Sequence, residues 1–221
     1  MSRLQGASPI ITTLTVGNCL FTEDQACRVR AEEWKVEASP KLPASVVRRA
    51  AAAEAEATEA ELTTMAELAL RRNAATIAIG HGRSTAAARA AAAFARRWET
   101  CGRIVLDVVT WPEEAASWLR QATRFAAADP DLWVMAGPPG GWAQMTRRLL
   151  WSTPWQPGRT IAFAALGTDH AIALVGADDL PGLVGATASG GIWTVRDGRV
   201  EQLSCPARLG PGWSGRPGRP V

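Results

Sequence analysis

The stretch GRIVLDVVTWPEEAASWLRQATRFAAADPDLWVMAG, residues 102–137, decides the fold class. Apolar runs occupy 104–109, interrupted only by Asp107, and 132–136, which is typical of strands buried on both faces of a sheet. Between them, apolar residues recur at helical spacing, namely Ala115, Trp118, Leu119, Ala122 and Phe125. A strand, a helix over 112–127 and a second strand predict parallel neighbours joined by a right-handed crossover.

The same alternation continues on both sides of this stretch. Upstream we predict a strand over 75–79 and a helix over 85–98, whose apolar face carries Ala87, Ala91, Phe94 and Trp98. Downstream we predict a helix over 142–151, two strands within 159–176 and a hairpin around Asp197-Gly198. These elements predict a three-layer α/β fold, with a mainly parallel sheet, helices on both faces and antiparallel edge strands.

The two ends of the chain differ from this middle part. Before it we place strands over 10–16 and 27–36, then a helix over 45–72 capped by Asn73. The Glu-rich middle of that helix, 54–61, is expected to form a solvated face. We expect a single α/β domain over 1–205 and a disordered tail, rich in Gly, Pro and Arg, over 206–221.

Composition excludes several classes of function. The 24 basic and 21 acidic residues are mixed along the chain, so no basic stripe indicates nucleic-acid binding. No apolar run is long enough to span a membrane and no secretory signal is evident, which by elimination predicts a cytoplasmic protein. Cys19, Cys27, Cys101 and Cys205 lack metal-ligand spacing, so we expect thiols, no metal site and no cofactor.

Two glycine-rich loops are the candidate ligand sites: the first glycine loop is 80–84 and the second is 137–141. Each follows a predicted strand and precedes a helix, so both open at the carboxyl edge of the sheet, where helix N-termini receive anions. The first loop lacks the third glycine of a dinucleotide motif, since Thr85 stands there, and a tight turn with Ser84 as helix cap is the favoured explanation of its residues. The candidate binding residues are Gly80, His81, Gly82, Arg83, Ser84, Thr110, Trp111, Gly140 and Gly141.

The corner at the end of the 104–109 strand carries no catalytic group. Thr110 and Glu113 have the spacing of a helix capping box, which is a structural role. Asp169 and His170 are adjacent in a predicted turn, and no Ser or Cys can be tied to them from sequence. We therefore expect no catalytic residues; a hydrolase using this pair is the remote alternative.

Element order suggests a family. The segments IITTLTVGN (10–18), TIAIGHG (76–82), 103–137 and RTIAFAAL (159–166) resemble the N-terminal half of the β-ketoacyl synthases of the thiolase-like fold. In that resemblance Asp107 matches a family Asp, and the nucleophilic Cys falls at Thr110, between Val109 and Trp111. None of these three side chains can serve as a thiolate nucleophile.

The resemblance implies a truncated, nucleophile-less relative, similar to chain-length-factor subunits. It predicts a non-catalytic protein of acyl or polyketide chain assembly that associates with a ketosynthase-like partner or with itself. The alternative is a small α/β domain that binds an anionic small molecule, such as a nucleotide, phosphate or acyl-CoA, at the glycine loops.

Overall fold

The computed structural model describes residues 41–49 and 55–203, and its strands form one seven-stranded sheet. In chain order the strands are β1 (Thr76–Gly82), β2 (Ile104–Trp111), β3 (Leu132–Ala136), β4 (Thr160–Ala162), β5 (Val184–Ala186), β6 (Ile192–Arg196) and β7 (Arg199–Leu203). Their order across the sheet is β2-β1-β3-β4-β5-β6-β7. Strands β1 to β5 run parallel, whereas β6 and β7 are antiparallel to their neighbours. The predicted fold class is confirmed.

Helices cover both faces of this sheet. They are α1 (Ala44–Arg49), α2 (Glu59–Arg71), α3 (Thr85–Thr100), α4 (Leu119–Ala127), α5 (Pro139–Ser152) and α6 (Asp169–Val175). One hydrophobic core lies beneath α2 and α3, and the other lies beneath α4, α5 and α6. Strand β3 feeds both cores, since Leu132 and Val134 join the first and Trp133 and Met135 the second. This is the period-two alternation of a strand buried on both faces.

Helix α3 forms where the sequence predicts it. Ser84 accepts a hydrogen bond from the Ala87 N–H at 3.1 Å, and this cap satisfies one of the unpaired amides of the first turn. Alanines with high helix propensity follow, and the predicted face is buried, including Phe94 and Trp98. The hairpin at Asp197-Gly198 also forms, between β6 and β7.

Strand β2 differs from the prediction in where it ends and in how far it is buried. It continues to Trp111, and α4 begins only at Leu119, so the predicted capping box of Thr110 and Glu113 does not form. Complete burial of the Trp111 indole contributes more to the free energy of folding than a helix cap, which is worth about 1 kcal/mol. The strand is also an edge strand, so Ile104, Leu106 and Val108 are exposed rather than buried.

The second strand predicted within 159–176 is a helix instead. Residues 169–175 form α6, whose N-terminus is capped by Thr168 through a hydrogen bond from the Ala171 N–H at 3.1 Å. Helix α6 joins β4 to β5, and because these strands are parallel, their connection has to cross over the sheet.

The long helix predicted over 45–72 is wrong at 55–58, which are not helical; α1 and α2 lie on either side, and 50–54 are outside the described residues. Asn73 adopts a left-handed conformation, with a φ of 54°, as expected for the residue that ends a helix. The solvated face predicted over 54–61 is wrong at Glu61, which is 3% exposed. The predicted strands 10–16 and 27–36 and the tail 206–221 lie outside the described residues.

Candidate functional site

The order of the strands reverses at the carboxyl edge of the sheet, between β1 and β3. Strand β1 pairs with β2 on one side and with β3 on the other, so the direction of strand order reverses at this point. Ligands of open α/β sheets bind at such a reversal. The loops that follow β1 and β3 meet there: Gly137 has a φ of 150°, and a Cβ on it would lie 3.1 Å from the Gly82 nitrogen.

A cleft of about 340 Å³ opens at this edge on the face covered by α2 and α3. Its walls come from the segment before α2, the first turns of α3 and the ends of β3 and β4. The lining residues are Ala55, Glu56, Ala57, Glu61, Ala86, Ala87, Ala90, Ala136, Gly137, Pro139, Phe163, Ala164, Ala165, Thr168 and Ala188. Small apolar side chains thus form most of the wall, and two carboxylates supply its charge.

Glu61 is the buried carboxylate of this cleft. Its Oε1 accepts a hydrogen bond from the Ala164 N–H at 2.6 Å, at the point where the chain leaves β4. Burial raises the pKa of Glu61 above its usual value, and backbone hydrogen bonds from Ala164 and Thr58 offset part of this effect. Glu61 lies in the first turn of α2, whose cap is Thr58, and Thr64 fixes the same helix by donating to the Gly190 carbonyl at 2.8 Å.

Glu56 is the second carboxylate, and it differs from Glu61 in its partner. Arg89 of α3 donates a hydrogen bond to Glu56 Oε1, and both side chains are exposed. No Lys, Arg or His stands among the described residues that line the cleft. Glu61 is therefore the buried carboxylate of the cleft, and its partners among the described residues are backbone N–H groups.

A second hollow, of about 390 Å³, lies on the opposite face of the same edge. Its walls are residues 41–47 together with the loop that joins β2 to α4. Gln144 lines it but is fully engaged with Leu42, since its Oε1 accepts from the Leu42 N–H at 2.9 Å and its amide donates to the Leu42 carbonyl. Although this hollow is larger, we favour the first cleft because Glu61, a carboxylate that is only 3% exposed, lines it.

The structure places the predicted binding residues of the first glycine loop beside the cleft, not in its walls. Gly80 lies inside β1, where a Cβ would come within 2.5 Å of the Trp111 ring, and Trp111 is fully buried. His81 is half-buried; its Nδ1 lies 2.7 Å from the Gly82 carbonyl and its Nε2 lies 3.1 Å from Thr110 Oγ1. Arg83 is exposed and Ser84 caps α3.

The second glycine loop is filled by the chain itself. A Cβ on Gly140 would lie 2.9 Å from the Val47 side chain of α1. A Cβ on Gly141 would lie 1.8 Å from Glu113 Oε2, and one on Gly82 would lie 2.5 Å from Glu113 Oε1. These glycines admit the close approach of α1 and of the Glu113 carboxylate to the first turn of α5. The ligand-binding role of both loops stays a prediction.

Sequence reasoning missed Glu61, although a signal was present. Glu61 shares one helical face with Met65 and Leu68, at positions i, i+4 and i+7, and both of those residues are buried. A carboxylate in line with an apolar stripe indicates a buried, functional or paired group. Its position inside a Glu-rich run concealed this signal.

No family model and no curated protein matches the sequence. Solved structures match the fold. A substrate-binding periplasmic protein from Ralstonia solanacearum aligns with 76% of this chain and 49% of its own, at 13% identity and a TM-score of 0.50. A branched-chain amino acid ABC transporter periplasmic ligand-binding protein from Burkholderia xenovorans LB400 aligns with 58% of this chain and 34% of its own, at 14% identity and a TM-score of 0.47.

An ABC transporter substrate-binding protein from Sphaerobacter thermophilus aligns with 54% of this chain and 33% of its own, at 20% identity and a TM-score of 0.44. The chain therefore spans between a third and a half of the length of these neighbours. At such identities the likeness shows the fold alone. The fold is the α/β arrangement found in periplasmic binding proteins.

This finding overturns the predicted resemblance to β-ketoacyl synthases, and with it the roles in acyl or polyketide assembly and the ketosynthase-like partner. At the supposed nucleophile position, Thr110 continues strand β2, and Asp107 forms an ion pair with Arg124 of α4. The cytoplasmic location is also corrected, because it rested on elimination and the neighbour that shares the fold is a periplasmic protein. Among the residues that the structure describes, no helix is long and apolar enough to cross a membrane.

Proposed function

We propose that this α/β unit binds a small molecule in the cleft between α2, α3 and the carboxyl ends of β3 and β4. The observation that carries the proposal is the buried Glu61 carboxylate, which lines this cleft and accepts backbone hydrogen bonds from Ala164 and Thr58. Burying a charged group costs free energy unless it is paired, so such a group marks a functional site.

Binding fits the lining of the cleft better than catalysis does. Its described walls contain one hydroxyl, that of Thr168, which already accepts the capping hydrogen bond from Ala171, and they contain no Ser, Cys or His. Covalent or general-base catalysis needs a nucleophile within hydrogen-bond reach of a base. A site made of small apolar side chains with a single buried charge is suited to hold a ligand and to select it.

The shared fold with a substrate-binding periplasmic protein supports the same function. We extend the proposal to location, and place the protein outside the cytoplasm as a carrier of its ligand. Because the chain spans 49% of that neighbour's length, the carrier role is a proposal for this chain. Fractionation of cells that express the native gene tests the location, and recovery in the cytosol would contradict it.

Ligand screening with a cleft-filling variant tests the binding function. We expect at least one compound in a panel of amines, amino acids, carboxylates, sugars, nucleotides and acyl-CoAs to raise the melting temperature of the full chain. Ala86→Leu should abolish this shift, because Ala86 is a half-buried residue that lines the cleft. Ala92→Leu, on an exposed position of the same helix, is the matched control and should leave the shift intact.

If no compound stabilises the protein, or if Ala86→Leu and Ala92→Leu respond alike to every compound that does, this cleft is not the binding site.

A further inference from the structure

A third hollow, of about 200 Å³, lies between strand β2 and helix α4, and we call it the β2 hollow. Its lining residues are Val109, Thr110, Arg120, Gln121 and Arg124. None of them lines the cleft that contains Glu61. Sites for drug-sized ligands measure about 300–1,000 Å³, so the β2 hollow suits a compound of only a few carbon atoms.

Thr110 presents a hydrogen-bond acceptor to the β2 hollow. Its Oγ1 lies 3.1 Å from His81 Nε2, and His81 Nδ1 lies 2.7 Å from the Gly82 carbonyl oxygen. Because a carbonyl oxygen can only accept, Nδ1 carries a proton, and in the neutral imidazole Nε2 then accepts from the Thr110 hydroxyl. The lone pairs of Thr110 Oγ1 are left to accept a hydrogen bond from a ligand, and the Thr110 side chain is exposed.

Gln121 supplies a second acceptor. Its Oε1 is buried and has no hydrogen-bond partner within the part of the chain that the structure describes. A buried acceptor without a donor has lost its hydration and gained nothing in return. Because the Gln121 side chain lines the hollow, a donor on a bound ligand would satisfy this oxygen after a small rotation of the amide.

The charge of the β2 hollow is positive. Arg124 donates two hydrogen bonds to the Asp107 carboxylate, so that ion pair has no net charge. Arg120 is exposed and makes no hydrogen bond or ion pair with any described residue. A guanidinium group binds a carboxylate through two parallel N–H···O hydrogen bonds. The hollow therefore offers one cation and two neutral acceptors.

We propose that the β2 hollow binds a small hydroxylated carboxylate, whose acid group pairs with Arg120 and whose hydroxyl groups donate to Thr110 Oγ1 and Gln121 Oε1. A hydroxyl group provides the donor that each acceptor lacks. An unsubstituted carboxylate would leave both acceptors without a donor, and a neutral polyol would leave Arg120 without a counter-ion. This site is independent of the function proposed for the cleft.

Titration of the full chain with three three-carbon compounds, followed by NMR of the backbone amides, tests the ligand class. Glycerate carries a carboxylate and two hydroxyl groups, propionate carries the carboxylate alone, and glycerol carries hydroxyl groups alone. At about pH 8, where both acids are ionised, we expect glycerate to bind roughly tenfold or more tightly than either of the others. The amide signals of Thr110 and Gln121 should shift on binding. Equal or tighter binding of propionate or glycerol, or no binding of glycerate, would overturn the proposal.

Two variants test the residues. Arg120→Gln removes the cation and should reduce glycerate affinity to that of glycerol, whereas Arg96→Gln, on an exposed position of α3, should leave it unchanged. Thr110→Val keeps the β-branched shape that suits a strand and removes the acceptor. It should weaken the binding of glycerate severalfold but not that of propionate.

Circular dichroism establishes that each variant folds. If Thr110→Val does not, Arg120→Gln still decides the matter, because this side chain is exposed and supports no contact within the described part of the chain. If glycerate binding survives Arg120→Gln, or is lost in the cleft variant Ala86→Leu, the compound occupies another site and the proposal is wrong.

Discussion

The Glu113 carboxylate occupies the space that a side chain on Gly141 would need, since a Cβ there would lie 1.8 Å from Glu113 Oε2. Glu113 follows β2, and Gly141 lies in the first turn of α5. The loop after β2, which was expected to begin α4 with a helix cap, thus packs against the first turn of α5 instead. Carboxylates are stabilised at this end of a helix by the partial positive charge of its dipole.

Gly141→Ala should therefore destabilise the protein. The added methyl group would displace Glu113 from the first turn of α5, and overpacking of this kind costs about 1–3 kcal/mol. Unfolding in urea measures the loss. Gly158→Ala is the matched control, because the nearest atom to a Cβ there is the Pro181 carbonyl oxygen at 3.9 Å, and it should be close to neutral. Equal free energies of unfolding for the two variants would show that the Glu113 side chain moves aside without destabilising the protein.

Glu61 should give the protein a pH-dependent stability of unusual sign for a carboxylate. Because its pKa is raised in the folded protein, the folded state holds the proton to higher pH than the unfolded chain does. The stabilising contribution is then fully present below the usual value of 4.5 and is lost as the pH rises through the raised folded value.

The measurement is the free energy of unfolding of the natural protein and of Glu61→Gln at a series of pH values. The difference, natural protein minus variant, should fall with rising pH across that window, since all other groups titrate in both. A difference that rises with pH would mean that the folded protein stabilises the Glu61 anion, contrary to its burial.

Gly80 and Trp111 should behave as one packing unit. A Cβ on Gly80 would lie 2.5 Å from Trp111 Cζ3, an atom that phenylalanine lacks. Gly80→Ala and Trp111→Phe should each destabilise the protein, by about 1–3 kcal/mol for the overpacked alanine. The double variant should lose less than the sum, by about 0.5 kcal/mol or more, because the smaller ring makes room for the methyl group. Strict additivity would show that the two positions do not compete for space.

The alternation of strands and helices could be predicted because it follows from local spacing. Strand β3 and the start of α3 lie where the apolar runs and Ser84 place them. The position of β2 at the sheet edge could not be predicted in this way. Its apolar run looks like that of a strand buried on both faces, and an edge is a property of pairing between distant segments.

The candidate site was less accessible to sequence reasoning than the fold. The glycine loops do lie at the carboxyl edge, but glycine tolerates the approach of a neighbouring chain segment as readily as that of a ligand. Which of the two fills the space depends on Val47 and Glu113, which are remote from Gly140 and Gly141 in sequence. The cleft walls likewise combine α2, α3 and the end of β4, so no single segment carries the pattern.

The position of Glu113 also determines what the second glycine loop can accept. A carboxylate tethered by a short loop competes for the first turn of α5 at an effective concentration on the order of millimolar or above. A free phosphate or carboxylate in solution has to displace this internal competitor before it can reach the helix. The chain thus supplies its own counter-ion to the N-terminus of α5.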